Sequence, residues 1–185
     1  MLYKYRGIKD FRFFVDIVLK KRLYAAPYFQ LNDPMEGHYL YSIGELESDV
    51  RELIENQKEK LRICSLSKLP DNELMWAHYA EGHRGVVIGV TIDENNYEVV
   101  PVNYSGLRRI RRIDISNSTA REILAHKLTV WSYEKEVRVF VDSMFYVDVN
   151  VEKIIAGRSM SNQDFGFITE LVAKLDKDIR VERMT

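Results

Sequence analysis

Residues 131–141 read WSYEKEVRVFV, and the second half of this stretch decides the kind of secondary structure around which the chain is organised. Val137, Val139 and Val141 alternate with Arg138 and Phe140. Successive side chains of a β-strand point to opposite faces, so this alternation is typical of a strand. We therefore predict a strand whose valine face packs against a core and whose other face is mixed in polarity.

Three charged side chains lie where this predicted strand begins. Glu134 and Glu136 are two residues apart, a spacing that puts both on the same side of an extended segment, and Arg138 continues the row. Two carboxylates and an arginine at a strand end can form a polar ligand site. A solvated strand edge with alternating charges would give the same pattern, and the segment alone leaves both interpretations open.

Length and composition limit the class of protein. The chain has 185 residues, 46% hydrophobic and 30% charged, which predicts a single globular domain over residues 1–185. The formal net charge of −1 gives no strong field toward nucleic acid or a membrane. The single cysteine, Cys64, excludes an internal disulfide, and no apolar stretch has the length of a signal-peptide core or a membrane span. We expect a cytoplasmic protein without a membrane partner.

Strand patterns outnumber helix patterns and do not alternate regularly with them. Alternating or apolar runs predict strands at 2–6, 23–26, 62–67, 85–91, 97–104, 137–141, 145–149, 151–157 and 179–181. Helical spacing predicts helices at 11–22, 43–61, 73–81, 116–128 and 161–175. Segment 145–149 is predicted to form a hairpin with 137–141, and Pro101 predicts an edge or a bulge. This order predicts an α+β fold with a mixed, mainly antiparallel sheet and flanking helices.

The predicted helix at 73–81 is short and carries Met75, Trp76, His78 and Tyr79. Trp and Tyr bury a large area and keep a polar tip, so they fit either a core or a surface that stacks on a flat ligand ring. In the first case His78 is a satisfied core histidine, and in the second it is a ligand-binding group.

Metal, phosphate-loop and serine-hydrolase chemistry are not indicated. His78 and His83 are five residues apart rather than four, and Glu136-Val137-Arg138 only loosely imitates the Glu-x-Lys arrangement of magnesium nucleases, because arginine replaces lysine. The chain has no glycine-rich phosphate loop and no Gly-x-Ser-x-Gly turn. Cys64 falls inside a predicted strand, where a buried and unreactive thiol is expected. We expect no metal.

Four arginines lie close together at Arg108, Arg109, Arg111 and Arg112. Such a cluster can contact phosphates, which would make the protein nucleic-acid-directed. A solvated basic turn fits the same pattern.

Six short motifs occur in an order that resembles one bacterial family. They read LYKYR at 2–6, NDPME at 32–36, CSLS at 64–67, MWAHYA at 75–80, HRG at 83–85 and WSYEKEVR at 131–138. The family is domain of unknown function twenty-nine seventy-one, and the resemblance covers nearly the whole chain. Leu31 stands where that pattern leads us to expect Phe, and Val137 where it leads us to expect Trp. The resemblance implies no settled activity.

The layout is also similar to an ADP-ribosyltransferase core, with a first strand ending in arginine, a helix, a serine-bearing strand, an aromatic helix and a late strand preceded by glutamate. This resemblance implies that NAD is the substrate. It implies that Arg6 holds a phosphate or ribose, that Tyr79 or Trp76 stacks on nicotinamide, and that Glu136 or Glu134 stabilises the charge that develops on the ribose. The remaining ligand-binding candidates are His78, Ser65, Asn32 and Arg138.

Three hypotheses remain. An NAD-using transferase requires Arg6, Tyr79 and Glu136 to converge on one open cleft, with a protein or nucleic-acid acceptor left open. A non-catalytic binding or regulatory module requires them to be buried and paired with each other, in a network that also contains Asn32, Asp33, Trp76 and His78. A nucleic-acid-directed protein would show salt-dependent binding that is lost when Arg109 and Arg111 are neutralised.

Overall fold

The computed structural model describes residues 1–184, and this part of the chain contains five α-helices and eleven β-strands. The helices are α1 (Phe11–Lys20), α2 (Ser48–Lys60), α3 (Glu73–Tyr79), α4 (Thr119–Leu124) and α5 (Asn162–Leu175). The strands are β1 (Leu2–Arg6), β2 (Arg22–Tyr24), β3 (Tyr39–Leu40), β4 (Leu61–Ser67), β5 (Val86–Thr91), β6 (Val99–Pro101), β7 (Arg108–Arg109), β8 (Glu136–Asp142), β9 (Tyr146–Asp148), β10 (Asn150–Ala156) and β11 (Arg180–Arg183).

Seven of the strands form one sheet in the order β11-β10-β5-β1-β4-β8-β6. Every neighbouring pair is antiparallel except β10 and β11, which are parallel. Two small sheets accompany it, β2 with β9 in antiparallel and β3 with β7 in parallel orientation. The predicted α+β class, with a mixed and mainly antiparallel sheet and flanking helices, is confirmed.

The main core lies between one face of this sheet and helices α1 and α5. Val139 of β8 and Ile88 of β5 are buried there with Phe14 of α1 and Ile168 of α5. β5 reads VVIGVT, an almost wholly apolar sequence, because it is an interior strand with β1 on one side and β10 on the other. The valines of β8 face this core as predicted, and Phe140 packs in a second cluster on the opposite face.

The large sheet is almost divided between β1 and β4. Tyr3 and Ser67 form the residue pair that joins these two strands, whereas β1 pairs with β5 along its whole length. The sheet therefore has two halves, β11-β10-β5-β1 and β4-β8-β6, which part beyond Tyr3.

Two contacts replace the missing ladder along the β4 side of this gap. The ammonium group of Lys4 donates to the carbonyl oxygen of Ser65 at 2.9 Å. Ala26, from a connecting segment, exchanges two backbone hydrogen bonds with Ile63. Backbone groups alternate in direction along a strand, so Ser65 presents its peptide groups to the same side as Ile63, toward the gap.

Several predicted elements have different bounds or partners. The hairpin between 137–141 and 145–149 is wrong: Ser143 adopts a left-handed conformation at φ +56° and its N–H bonds to Lys60, so the chain leaves β8 and β9 pairs with β2. The helices predicted at 43–61 and 116–128 shorten to α2 and α4. The strand at 97–104 shortens to β6, which is an edge strand as Pro101 predicted. None of the helices within residues 1–184 is long and apolar enough to cross a bilayer.

Candidate functional site

A cavity of about 500 Å³ lies where β1 and β4 part. Both strands contribute to its wall, together with α1, β2, α3 and the chain around the start of β8. Of the residues predicted from sequence, the cavity wall brings together Arg6, Asn32, Ser65, Tyr79, Glu134 and Glu136. The convergence of Arg6, Tyr79 and Glu136 that the transferase hypothesis requires is therefore present in this structure.

Lys127 links the two candidate carboxylates. Its Nζ lies 2.6 Å from Glu134 Oε2 and 2.9 Å from Glu136 Oε2, and the lysine is only 3% exposed. Glu134 ends a 3-10 turn, Thr129–Glu134, and Lys135 reverses the chain into β8 with φ +46°. The expected extended geometry from Glu134 to Glu136 is therefore wrong. The two carboxylates nevertheless meet on one side, because Lys127 reaches both.

Arg138 lies behind these carboxylates and is completely buried. Its Nε donates to Glu136 Oε1 at 2.8 Å, and its terminal nitrogens donate to Glu36 at 2.5 and 3.0 Å and to the carbonyl oxygen of Leu124. Arg138 is not on the cavity wall, so its predicted role as a direct ligand-binding residue is not available in this structure. Its contacts instead fix the position and charge of Glu136.

The surroundings of Glu136 hold it in the ionised form. Burial on its own would raise the pKa of Glu136, but the positive charges of Arg138 and Lys127 outweigh it and lower this pKa to about 2. Burial raises the pKa of Glu36, although Arg138 acts in the opposite direction. We infer that the positive charge of Arg138 is balanced chiefly by Glu136, which lies on the same strand, β8.

Tyr79 connects Glu134, the second carboxylate, to the segment between β2 and β3. Its hydroxyl donates to Glu134 Oε1 at 2.6 Å and accepts a hydrogen bond from Asn32 Nδ2 at 2.6 Å. Burial, and then the neighbouring Glu134, raise the pKa of the Tyr79 phenol, so it stays protonated and keeps donating. This is the kind of paired polar network that the binding-module hypothesis predicts, and it lies on the cavity wall.

Arg6 has no ion-pair partner among residues 1–184. Lys4 also lines the cavity without an ion pair, but its ammonium group is bonded to the carbonyl oxygen of Ser65. The guanidinium carbon of Arg6 lies 5.0 Å from the ring centroid of Phe13, and its buried Nε has no hydrogen-bond partner in the described chain. Burial lowers the pKa of Arg6, with Asp10 opposing this, but an arginine remains charged at neutral pH. An unpaired, half-buried arginine that faces a cavity has the charge and the free donors to pair with an anion.

Two of the predicted ligand-binding residues of α3, Trp76 and His78, lie away from the cavity. Trp76 is completely buried, donates from Nε1 to the carbonyl oxygen of Pro70 at 3.0 Å, and packs between Tyr5 and His83. It cannot stack on nicotinamide because no face of its ring is free. His78 is exposed and does not line the cavity, so Tyr79 is the polar residue of α3 that reaches the site.

The arginine cluster is largely neutralised. Arg108 pairs with Glu122 at 3.1 Å, Arg111 with Asp114 at 3.0 Å and Arg112 with Glu47 at 2.8 Å, which leaves Arg109 as the member without an ion pair in the described chain. The cluster therefore presents much less positive charge than its sequence indicates.

No family model, curated protein or solved structure matches the chain. The resemblances to domain of unknown function twenty-nine seventy-one and to an ADP-ribosyltransferase core thus stay predictions.

The sequence interpretation missed Lys127 and the role of Glu36 in the site. Lys127 falls in a predicted helix that ends early, and Glu36 belongs to a motif that reads as a tight loop. The one local signal was the row of Glu134, Glu136 and Arg138 around the start of the predicted strand, since charges that become buried need partners of opposite sign. Among residues 1–184 no group of three His, Cys, Asp or Glu is arranged to hold a metal ion.

Proposed function

We propose that the protein is an NAD-using enzyme of ADP-ribosyltransferase type, with the cavity between β1 and β4 as its NAD site. The observation that carries the proposal is the distribution of charge on the cavity wall. Arg6, a cation without a counter-ion, lines the wall on β1, whereas Glu134 and Glu136 line it at the start of β8. A dinucleotide has anionic phosphates and a ribose that becomes positive during cleavage, and this distribution matches both.

The carboxylates would act on the ribose that carries nicotinamide. The bond between C1′ and the nicotinamide nitrogen breaks, its electron pair leaves with neutral nicotinamide, and C1′ becomes positively charged. An acceptor nucleophile then bonds to C1′ and loses a proton. Three carboxylates, Glu36, Glu134 and Glu136, are linked to two cations, Lys127 and Arg138, so the group keeps one negative charge. That charge favours the positive centre electrostatically, and both carboxylates on the wall are almost fully buried, which strengthens the interaction.

Glu136 and Glu134 have different parts in this proposal. Glu136 is held ionised and rigid by Arg138 and Lys127, which suits electrostatic stabilisation of C1′. Glu134 accepts hydrogen bonds from Tyr79 and Lys127, so it is better suited to orient a ribose hydroxyl or to receive the proton of the acceptor. Ser65, on β4, faces the same cavity and can orient a polar group of the substrate.

A non-catalytic nucleotide-binding module is the second candidate, and one observation favours it. Both carboxylates already have cationic or phenolic partners, and Glu136 is buried against two of them. A binding module would use Arg6 and the aromatic wall to hold a nucleotide, with the carboxylate network serving only as a scaffold.

The experiment combines turnover and ligand-induced stabilisation. Purified protein is incubated with NAD, free nicotinamide is measured by chromatography, and Tm is measured on the same samples. The variants are Glu136→Gln, Glu134→Gln and Arg6→Gln. Arg109→Gln is the matched control, because Arg109 is also an arginine without an ion pair in the described chain but lies outside the cavity.

Each candidate predicts a different result. An NAD concentration about 100 times Kd should stabilise the protein by about 2.7 kcal/mol, or roughly 5–10 °C in Tm for this chain length. Arg6→Gln should lose this shift and Arg109→Gln should keep it. Nicotinamide release that Glu136→Gln abolishes supports the transferase, and stabilisation without release supports the binding module. If NAD gives no nicotinamide release and no stabilisation, both candidate functions are overturned.

A further inference from the structure

The mouth of the cavity carries a cluster of aromatic rings that solvent reaches. Tyr24, Phe145 and Tyr146 are 46%, 50% and 39% exposed. The rings of Tyr24 and Phe145 are nearly parallel with centroids 6.5 Å apart, and Tyr146 meets Tyr24 edge-on at 6.0 Å. The pairing of β2 with β9 places Tyr24 opposite Tyr146, and both rings line the cavity. We call these three residues the aromatic rim.

Arginine side chains lie against the rings of the aromatic rim. The guanidinium carbon of Arg22 is 3.8 Å from the Tyr146 centroid, and that of Arg62 is 5.3 Å from the Phe145 centroid. Asp16 holds Arg22 with two hydrogen bonds, at 3.0 and 3.1 Å, which neutralises its charge. Arg62 donates only to backbone carbonyl oxygens and has an unpartnered Nε, so its charge has no carboxylate partner in the described chain.

The same combination of ring and unpaired arginine occurs at another part of the cavity wall. Phe13 is exposed and lines the cavity, with the guanidinium carbons of Arg6 and Arg12 at 5.0 and 4.8 Å from its centroid. Neither arginine forms an ion pair with a carboxylate in residues 1–184. Arg6, Arg12 and Arg62 thus supply positive charge beside exposed rings, although the chain as a whole carries a net charge of −1.

Exposed aromatic rings with an unpaired arginine beside them fit one class of partner best. Unstacked bases of a single strand stack on aromatic rings, and their phosphates meet guanidinium groups. A duplex hides its base faces, and an ordinary protein partner does not supply evenly spaced anions together with flat rings. We propose that the aromatic rim and Arg62 bind single-stranded nucleic acid across the mouth of the cavity.

This inference goes beyond the proposed function, because binding of a strand to the rim requires no NAD. If both proposals hold, the strand lies beside the proposed NAD site and supplies the acceptor nucleophile. The two can fail separately, since strand binding is measured without NAD and NAD stabilisation without a strand.

The test is fluorescence anisotropy with the full chain and a labelled oligothymidylate of about 12 nucleotides. Binding is measured without NAD between about 50 and 200 mM salt. The variants are Tyr24→Ala, Phe145→Ala and Arg62→Gln. The matched controls are Tyr41→Ala and Arg51→Gln, because Tyr41 is an exposed tyrosine with Arg51 at 5.9 Å from its centroid, away from the cavity. Thermal melts establish that every variant is folded.

We expect Tyr24→Ala and Phe145→Ala each to weaken binding at least about fivefold, because stacking on one ring contributes on the order of a kilocalorie per base. Arg62→Gln should lower the salt slope by about 0.7, the value for one phosphate contact to a single strand. Both controls should bind as the wild type does.

Three results would overturn the proposal. They are the absence of binding at about 50 mM salt, equal weakening by the rim and control variants, and displacement of the strand by polyglutamate or duplex as readily as by unlabelled oligothymidylate. The last result would show a surface that responds only to negative charge.

Discussion

Replacement of Lys127 by Met is the substitution that tests the candidate site most directly. Lys127 Nζ lies 2.6 Å from Glu134 and 2.9 Å from Glu136, and all three side chains are buried. The substitution keeps a long unbranched side chain and removes the charge. Glu136 retains Arg138, but Glu134 loses the one cation that contacts it within residues 1–184.

The size of the effect follows from that difference. Removing one partner of a buried ion pair typically costs about 3–5 kcal/mol, because the other charge stays buried and unpaired. Tyr79 still donates to Glu134, so we expect the lower end of this range, about 3 kcal/mol in the free energy of unfolding at pH 7. For a chain of 185 residues this corresponds to a decrease in Tm of about 6–12 °C.

The assay is urea unfolding of Lys127→Met, Glu134→Gln and the double variant. The double variant should be more stable than the sum of the single effects predicts, by about 1 kcal/mol or more, since it leaves no unpaired carboxylate. Lys58→Met is the control. Lys58 is also buried, but it bonds to a carbonyl oxygen and to a half-exposed Glu55. Lys58→Met should therefore lower the free energy of unfolding by less than half as much as Lys127→Met. Additive single effects, or equal losses at the two lysines, would refute the reasoning.

Three further predictions concern stability and reactivity. Glu136 has a folded pKa of about 2, below its unfolded value of 4.5, so its contribution is present above about pH 5 and about 3 kcal/mol should be lost as pH falls to about 2. Urea unfolding over this pH range should show a smaller decrease in the free energy of unfolding for Glu136→Gln than for the wild type. An equal decrease in the two proteins would contradict the lowered pKa of Glu136. Burial raises the pKa of the Cys64 thiol, so a thiol reagent should react only after unfolding in urea, and rapid reaction of the native protein would be inconsistent with this. In Gly157→Ala the added Cβ would lie 2.1 Å from the carbonyl oxygen of His83, so thermal melts should show a loss of about 2 kcal/mol or more, whereas Gly166→Ala, with open space inside α5, should gain up to about 1 kcal/mol.

Features encoded within a few neighbouring residues could be predicted from the sequence. The alternation in β8 predicts its valine face because one strand period is set by adjacent residues. The helix predicted at 161–175 begins where expected, because Ser161 is its N-cap and accepts a hydrogen bond from the Asp164 N–H at 3.0 Å. Pro101 predicts an edge because it cannot donate to a neighbouring strand.

The partners that complete the site could not be predicted in the same way. Glu36 meets Arg138 across 102 positions of sequence, and no local pattern specifies that meeting. The position of Lys127 depends on where α4 ends, and helix ends are less well determined by periodicity than helix interiors. Trp76 and Tyr79 share a short helix, and which of them is buried depends on the strand beneath.

The near division of the sheet determines which backbone contacts resist a change in the width of the cavity. Tyr3 and Ser67 form the single ladder pair between the two halves. A rotation about this pair would change the width of the cavity and leave the ladders within each half intact, but it would also shift the core that packs against both halves. The hydrogen bond from Lys4 to Ser65 crosses the gap between the two halves and opposes their separation. A ligand that contacts Arg6 on one half and Glu136 on the other would favour a narrower cavity. Part of its binding free energy would then be used to bring the two halves of the sheet together.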